Sequence, residues 1–140
     1  MEVKRKAIPK KTRIKVYEKC NGHCAYCGCE LEYKDMQVDH VIPLNGWSEQ
    51  GTDTFDNMLP ACRSCNHYKM RSTLEGFRKM VEAMPDTLMR DSVTYKNAVR
   101  FGLVIPNKQP ITFYFEKLQS EQKSKFSDEQ LEKVWNEILS

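Results

Sequence analysis

A chain of 140 residues, 40% of them hydrophobic, has room for one domain, or for a small domain with an appendage. No run approaches the ~20 apolar residues of a membrane span, and the basic opening MEVKRKAIPKK is followed by no apolar stretch. The expected location is therefore a reducing cytoplasm, with no membrane partner. Net charge is only +3, but residues 1–19 hold eight lysines and arginines against Glu2 and Glu18, and residues 63–79 are basic again. A basic front with an acidic tail suits a polyanionic partner at one end, although a solvated surface accounts for the charges equally well.

In chain order, IPKKTRIKVYEKCNG reads as a first helix, with Ile14 and Tyr17 at helical spacing and Gly22 as its stop. CAYCG places Cys24 and Cys27 on a tight turn, with Gly28 free to adopt unusual dihedrals. MQVDHVI is a short strand ended by Pro43, a loop with Gly46 and Gly51 follows, and DNMLPAC is a second extended piece. CRSCNHYKM turns helical. STLEGFRKMVEAM begins another helix, with a capping-box pattern at Ser72 and Glu75 and an apolar stripe of Leu74, Phe77, Val81 and Met84 that belongs to the core. Beyond it, SVTYKNAVRFG is a helix closed by Gly102, ITFYFEKL is a β-rich run, and LQSEQKSKFS is a polar linker. SDEQLEKVWNEIL is an amphipathic helix with Leu131, Val134, Trp135 and Ile138 on one face.

Six cysteines in a cytosolic chain read as metal ligands before they read as disulfides. Cys24 with Cys27, and Cys62 with Cys65, are two Cys-x-x-Cys knuckles. Each pair can bite one tetrahedral Zn2+, and the two together complete a closed structural site that staples the strand–loop–strand segment between them. Four buried thiols without metal are the alternative. Cys20 and Cys29 are read as ordinary thiols, although Cys29 is close enough to Cys27 to replace it as a ligand.

Inside this staple lie Asp39-His40, Asn57 and Asn66. The combination CAYCG, VDHVIPL and DNMLPACRSCNHYK, over roughly residues 13–70, resembles the HNH endonuclease family. The resemblance implies an α+β fold: a small zinc-stapled, treble-clef-like ββα-metal nuclease domain with an N-terminal helix and a mostly helical C-terminal extension. The expected division is a nuclease domain at 1–85 and an extension at 86–140.

Carried over position by position, the resemblance makes His40 the general base and Asn57 the residue that braces the loop. Asp39 and Asn66 become the ligands of a catalytic Mg2+ or Mn2+. Asn66 stands where many members have His, so the chain is an HNN variant. His67 follows it, but consecutive helical residues point about 100° apart, leaving His67 as a phosphate contact or as the ligand in place of Asn66. Lys69, Arg63 and Arg71 are expected phosphate contacts. The chemistry is coherent: a neutral imidazole accepts a proton near pH 7, and one carboxylate with one amide oxygen suits a hard cation that keeps several waters.

The implied activity is metal-dependent strand nicking of double-stranded DNA, leaving 5′-phosphate and 3′-hydroxyl ends, in a phage, mobile-element or restriction setting. The alternative is a zinc-stapled module that binds nucleic acid without cutting it.

Overall fold

The computed structural model describes residues 6–125 and 128–139. The expected contributions of Lys4 and Arg5 to the basic front, and of the Leu131 and Val134 side chains to the last helix, lie outside what is described. Helix α1 spans Lys10–Glu18, strand β1 Gln37–His40 and strand β2 Met58–Ala61. Helices α2 (Arg63–Lys69), α3 (Leu74–Glu82), α4 (Met84–Asp91), α5 (Val93–Arg100), α6 (Tyr114–Lys125) and α7 (Asp128–Leu139) follow. The fold is thus α+β, with one small antiparallel sheet among helices.

The chain forms two compact units, one of residues 1–74 with 112–140 and one of residues 75–111. The divisions between these compact units fall at 74/75 and 111/112.

In the first unit, β1 and β2 pair in register Gln37↔Ala61, Val38↔Pro60, Asp39↔Leu59 and His40↔Met58. Pro60 donates nothing to a ladder, so it is tolerated where each strand has a free edge, and its carbonyl accepts from Ala25 N at 2.8 Å, binding the first knuckle to the sheet. Val38 and Met58 share one face and pack with Val16 of α1, Leu31 and Met36 as the core. Alternation along β1 sends Gln37 and Asp39 to the other face.

The stretch after residue 111 departs from the expected β-run and linker. The backbone N–H groups of Tyr114 and Phe115 donate to the carbonyls of Tyr26 and Ala25 at 3.1 and 2.9 Å, and the chain then turns into α6. Glu116, third residue of that helix, accepts from Phe113 N at 2.8 Å, which is half of a capping box. The β-favouring Ile111, Thr112 and Phe113 are spent in the approach, and the helix-favouring residues after them continue as α6 through most of the supposed linker. Trp135 and Ile138 of α7 line an apolar cavity of about 440 Å3 with Leu59, Phe115 and Leu118.

In the second unit, α5 ends as expected at Gly102, whose φ is +73°. Phe77 of the predicted stripe is buried, while Leu74, Val81 and Met84 are half-buried. Arg78 reaches the Ile111 carbonyl at 2.7 Å and Glu82 accepts from Ile111 N at 2.9 Å, which closes the unit. Helix α3 begins at Leu74, one residue later than a Ser72 cap requires. The Ser72 hydroxyl instead donates to the Lys69 carbonyl at 2.6 Å.

Candidate active site

The two knuckles meet. The Sγ atoms of Cys24, Cys27, Cys62 and Cys65 all lie within 4.8 Å of one another. A tetrahedral zinc with Zn–S bonds of about 2.3 Å needs sulfurs about 3.8 Å apart, and Cys27 and Cys62 stand at 3.9 Å. The four thiols therefore fit a structural zinc. Cys29 is exposed and Cys20 buried, and neither joins the group of four. A hydrogen bond from the Cys65 thiol pulls Cys24 down to about 4, against the effect of its burial, and the same bond raises Cys65. One thiolate is thus favoured even before a cation supplies its charge. Gly28 has φ +78°, and a Cβ there would stand 2.9 Å from the Tyr114 ring, so the turn accepts only glycine.

Asp39 lies on the face of β1 opposite the core and His40 at the strand's end, and both line one polar cleft of about 170 Å3. Asn66, in the middle of α2, lines the same cleft, with Asn45 and Arg71 at its rim. His67 and Arg63 are exposed and are not among its lining residues. The Asn66 amide nitrogen donates to Gln37 Oε1 at 2.6 Å, so its oxygen is the atom left to ligate. Helix α2 ends at Met70, whose φ of +53° is rare for an L residue and redirects the chain so that Met70 and Arg71 border the cleft.

Asp39 is 4% exposed and is held by two groups. Its Oδ2 accepts a hydrogen bond from the Tyr26 hydroxyl, and Lys69 Nζ lies 3.2 Å away. Burial raises its carboxyl above the ordinary range, opposed by Lys69 and Tyr26. Burial also pushes Tyr26 well up, with the Asp39 charge second, so the phenol stays protonated and donates.

Lys69 departs from its expected place as a phosphate contact. It is fully buried, and its ammonium donates to the His40 carbonyl at 3.1 Å while pairing with Asp39. A buried ammonium must be neutralised locally, and the two adjacent residues of β1 do that.

Asn57 is 9% exposed and spans the loop. Its Oδ1 accepts from Ile42 N at 2.9 Å, and its Nδ2 donates to the carbonyls of Ile42 and Thr52 at 2.8 and 2.9 Å. Gly51 sits beneath this brace: a Cβ there would lie 2.0 Å from the Ile42 carbonyl.

The model of the HNH endonuclease family matches residues 24–71. Residues 24–71 form an HNH endonuclease domain. The chain is also 32% identical over 57 residues to the CRISPR-associated endonuclease Cas9 of Corynebacterium diphtheriae, a stretch covering 41% of this chain and 5% of that protein. Among solved structures, the Type II-C Cas9 enzyme from Actinomyces naeslundii is similar at a TM-score of 0.48 and 16% identity, over 96% of this chain and 13% of that one. The chain therefore spans a small fraction of these relatives' length.

Three residues of the HNH domain escaped the sequence reading: Tyr26 and Gln37, just described, and Asp53. Asp53 Oδ1 lies 2.8 Å from His40 Nε2. A carboxylate in a loop, 13 residues from its partner, carries no periodicity and no motif position. Tyr26 did carry a weak signal, being an aromatic residue between the two cysteines of a knuckle.

Proposed function

We propose that this chain is a metal-dependent endonuclease that hydrolyses phosphodiester bonds of double-stranded DNA. The observation that carries this reading is the convergence of Asp39, His40 and Asn66 on one polar cleft inside the HNH segment. Hydrolysis of a phosphodiester needs an activated water, neutralisation of charge at phosphorus and help for the departing oxygen. His40, as a neutral imidazole, takes the proton from water. The Asp39 carboxylate and the Asn66 amide oxygen form the hard-oxygen pair that would hold Mg2+ or Mn2+. Such an ion, when bound, supplies the charge stabilisation.

Arg13 and Lys6 border a cleft that also includes His40 and Asn66, while Arg71 borders the first. With the exposed Arg63 and His67 they are the proposed contacts for flanking phosphates, which would fix position without reading sequence. Affinity then falls with salt, by a log–log slope of about 0.9 for each phosphate neutralised. One centre per chain nicks one strand, leaving 5′-phosphate and 3′-hydroxyl ends. A reducing cytoplasm is the proposed setting, because there the four knuckle thiols stay available to zinc.

The second reading is a zinc-stapled module that binds nucleic acid without cutting. It is favoured by one observation: Asp39 Oδ2 is already engaged by Tyr26 and Lys69. Plasmid nicking by wild type and His40→Ala, with magnesium, with manganese and with neither, separates the two. Metal-dependent nicking abolished in the variant, from protein holding one zinc per chain, supports the nuclease. DNA binding without cleavage by folded, zinc-loaded protein supports the binding module.

A further inference from the structure

His40 is held on one side only. Its side chain is 4% exposed, and its Nε2 lies 2.8 Å from Asp53 Oδ1. Its other ring nitrogen, Nδ1, is buried and has no hydrogen-bond partner among the described residues. An ionised carboxylate can only accept, so the proton of a neutral imidazole at this contact sits on Nε2, and Nδ1 carries the lone pair. A buried acceptor without a donor is uncommon in folded proteins and calls for an explanation.

The segment that brings Asp53 here is fastened on both sides. Gly51 N donates to the Pro43 carbonyl at 2.8 Å, the Thr52 carbonyl accepts from Asn57 at 2.9 Å, and Asn57 N donates to the Thr54 carbonyl at 2.9 Å. Asp53 is thus presented by a braced loop.

We infer that Asp53 is the positioning residue of the general base: it holds His40 as the Nε2–H tautomer, so that Nδ1 is the atom that takes the proton from the attacking water. The inference rests on the reading of His40 as that base. Nδ1 is closed to bulk solvent here, so the water that donates to it must be carried in beside it with the substrate; its O–H bond breaks as oxygen attacks phosphorus, and the proton moves to Nδ1. The imidazolium so formed faces the Asp53 carboxylate, which stabilises the new charge as it does in other histidine–carboxylate pairs. The opposite tautomer would set the Nε2 lone pair against the carboxylate.

The test uses full-length, zinc-loaded protein carrying Asp53→Asn, Asp53→Ala or Asp53→Glu, beside His40→Ala. In analogous pairs, loss of the carboxylate lowers kcat by about ten-thousand-fold. Here Asp53→Asn and Asp53→Ala are expected to lower the nicking kcat by roughly a hundred- to ten-thousand-fold. KM for DNA, half-saturation by manganese and melting temperature should stay near wild type, and Asp53→Glu should recover part of the loss. A long-range 1H–15N spectrum without divalent metal should show His40 as Nε2–H in the wild type and as a tautomer mixture in Asp53→Ala. Wild-type kcat in Asp53→Asn and Asp53→Ala, with His40→Ala inactive, would overturn this inference while leaving the base intact. Wild-type nicking by His40→Ala would overturn the base reading and this inference with it. A loss confined to KM or to melting temperature would reduce Asp53 to a loop anchor and also overturn it.

Discussion

Replacing Lys69 with Met retains most of the side chain's volume and removes its charge. The ammonium stands 3.2 Å from Asp39 Oδ2, with side chains 0% and 6% exposed. At an effective dielectric constant of about 20, two unit charges at that distance attract by roughly 5 kcal/mol. Deleting one partner also removes the desolvation of the lysine but strands a buried carboxylate, and the net cost of such deletions is about 3–5 kcal/mol. The His40 carbonyl loses its donor as well. Lys69→Met is therefore expected to lose about 3–5 kcal/mol in urea unfolding followed by circular dichroism, with zinc present and no other divalent ion. Adding Asp39→Asn should recover most of it, because the amide oxygen still accepts from Tyr26 and no charge remains. Magnesium should stabilise the Lys69→Met single variant more than the double. A single-variant cost below about 1 kcal/mol, or no recovery in the double, would refute the view that the ion pair holds this end of β1 together.

Asn57→Ala removes three hydrogen bonds to Ile42 and Thr52. At about 1 kcal/mol each, unfolding should shift by about 3 kcal/mol, with nicking reduced because Asp53 is no longer presented. Chelating zinc with a thiol-compatible chelator should unfold the segment between the knuckles, seen as a cooperative loss of far-UV signal restored by zinc but not by magnesium. Lys19 donates to the Phe55 and Met58 carbonyls, and burial lowers its pKa from 10.5 to about 8. The folded chain then releases this proton before the unfolded chain does, so stability rises with pH between about 8 and 10.5. Against Lys19→Met, the wild type should gain melting temperature across that window, and parallel curves would refute the assignment.

What the sequence made legible follows how local each interaction is. Two Cys-x-x-Cys pairs announce a metal clip because the two thiols of each pair are near each other in any turn. The structure completes that clip by bringing the pairs together across 35 residues. Asp39, His40, Asn57 and Asn66 were singled out by motif position, and three of them meet in one cleft while Asn57 spans the loop. Lys69 was misplaced because a lysine in a basic run reads as surface, and only the tertiary fold sets Asp39 beneath it. Asp53 was missed because a loop carboxylate has no pattern to betray it. The C-terminal run was misread because Ile111 to Phe115 has strand-like composition, whereas the helical outcome depends on Glu116 capping Phe113 and on a backbone seam with the first knuckle.

The brace formed by Asn57 separates the roots of the 41–57 loop from its tip. Trp47, Ser48, Glu49 and Gln50 are exposed, and Trp47 is 64% so; Trp47 N donates to the Arg71 carbonyl at 3.2 Å, and the other bonds that fix the loop close at Ile42, Pro43, Gly51 and Thr52. Lengthening a surface loop costs only about 0.6 kcal/mol per doubling. Beyond Trp47, the tip is therefore a place where sequence can be exchanged or inserted while the cleft keeps its geometry, as a tool's head can be changed on a fixed handle. Grafts after Ser48 would change the surface beside the cleft without altering Asp39, His40 or Asn66.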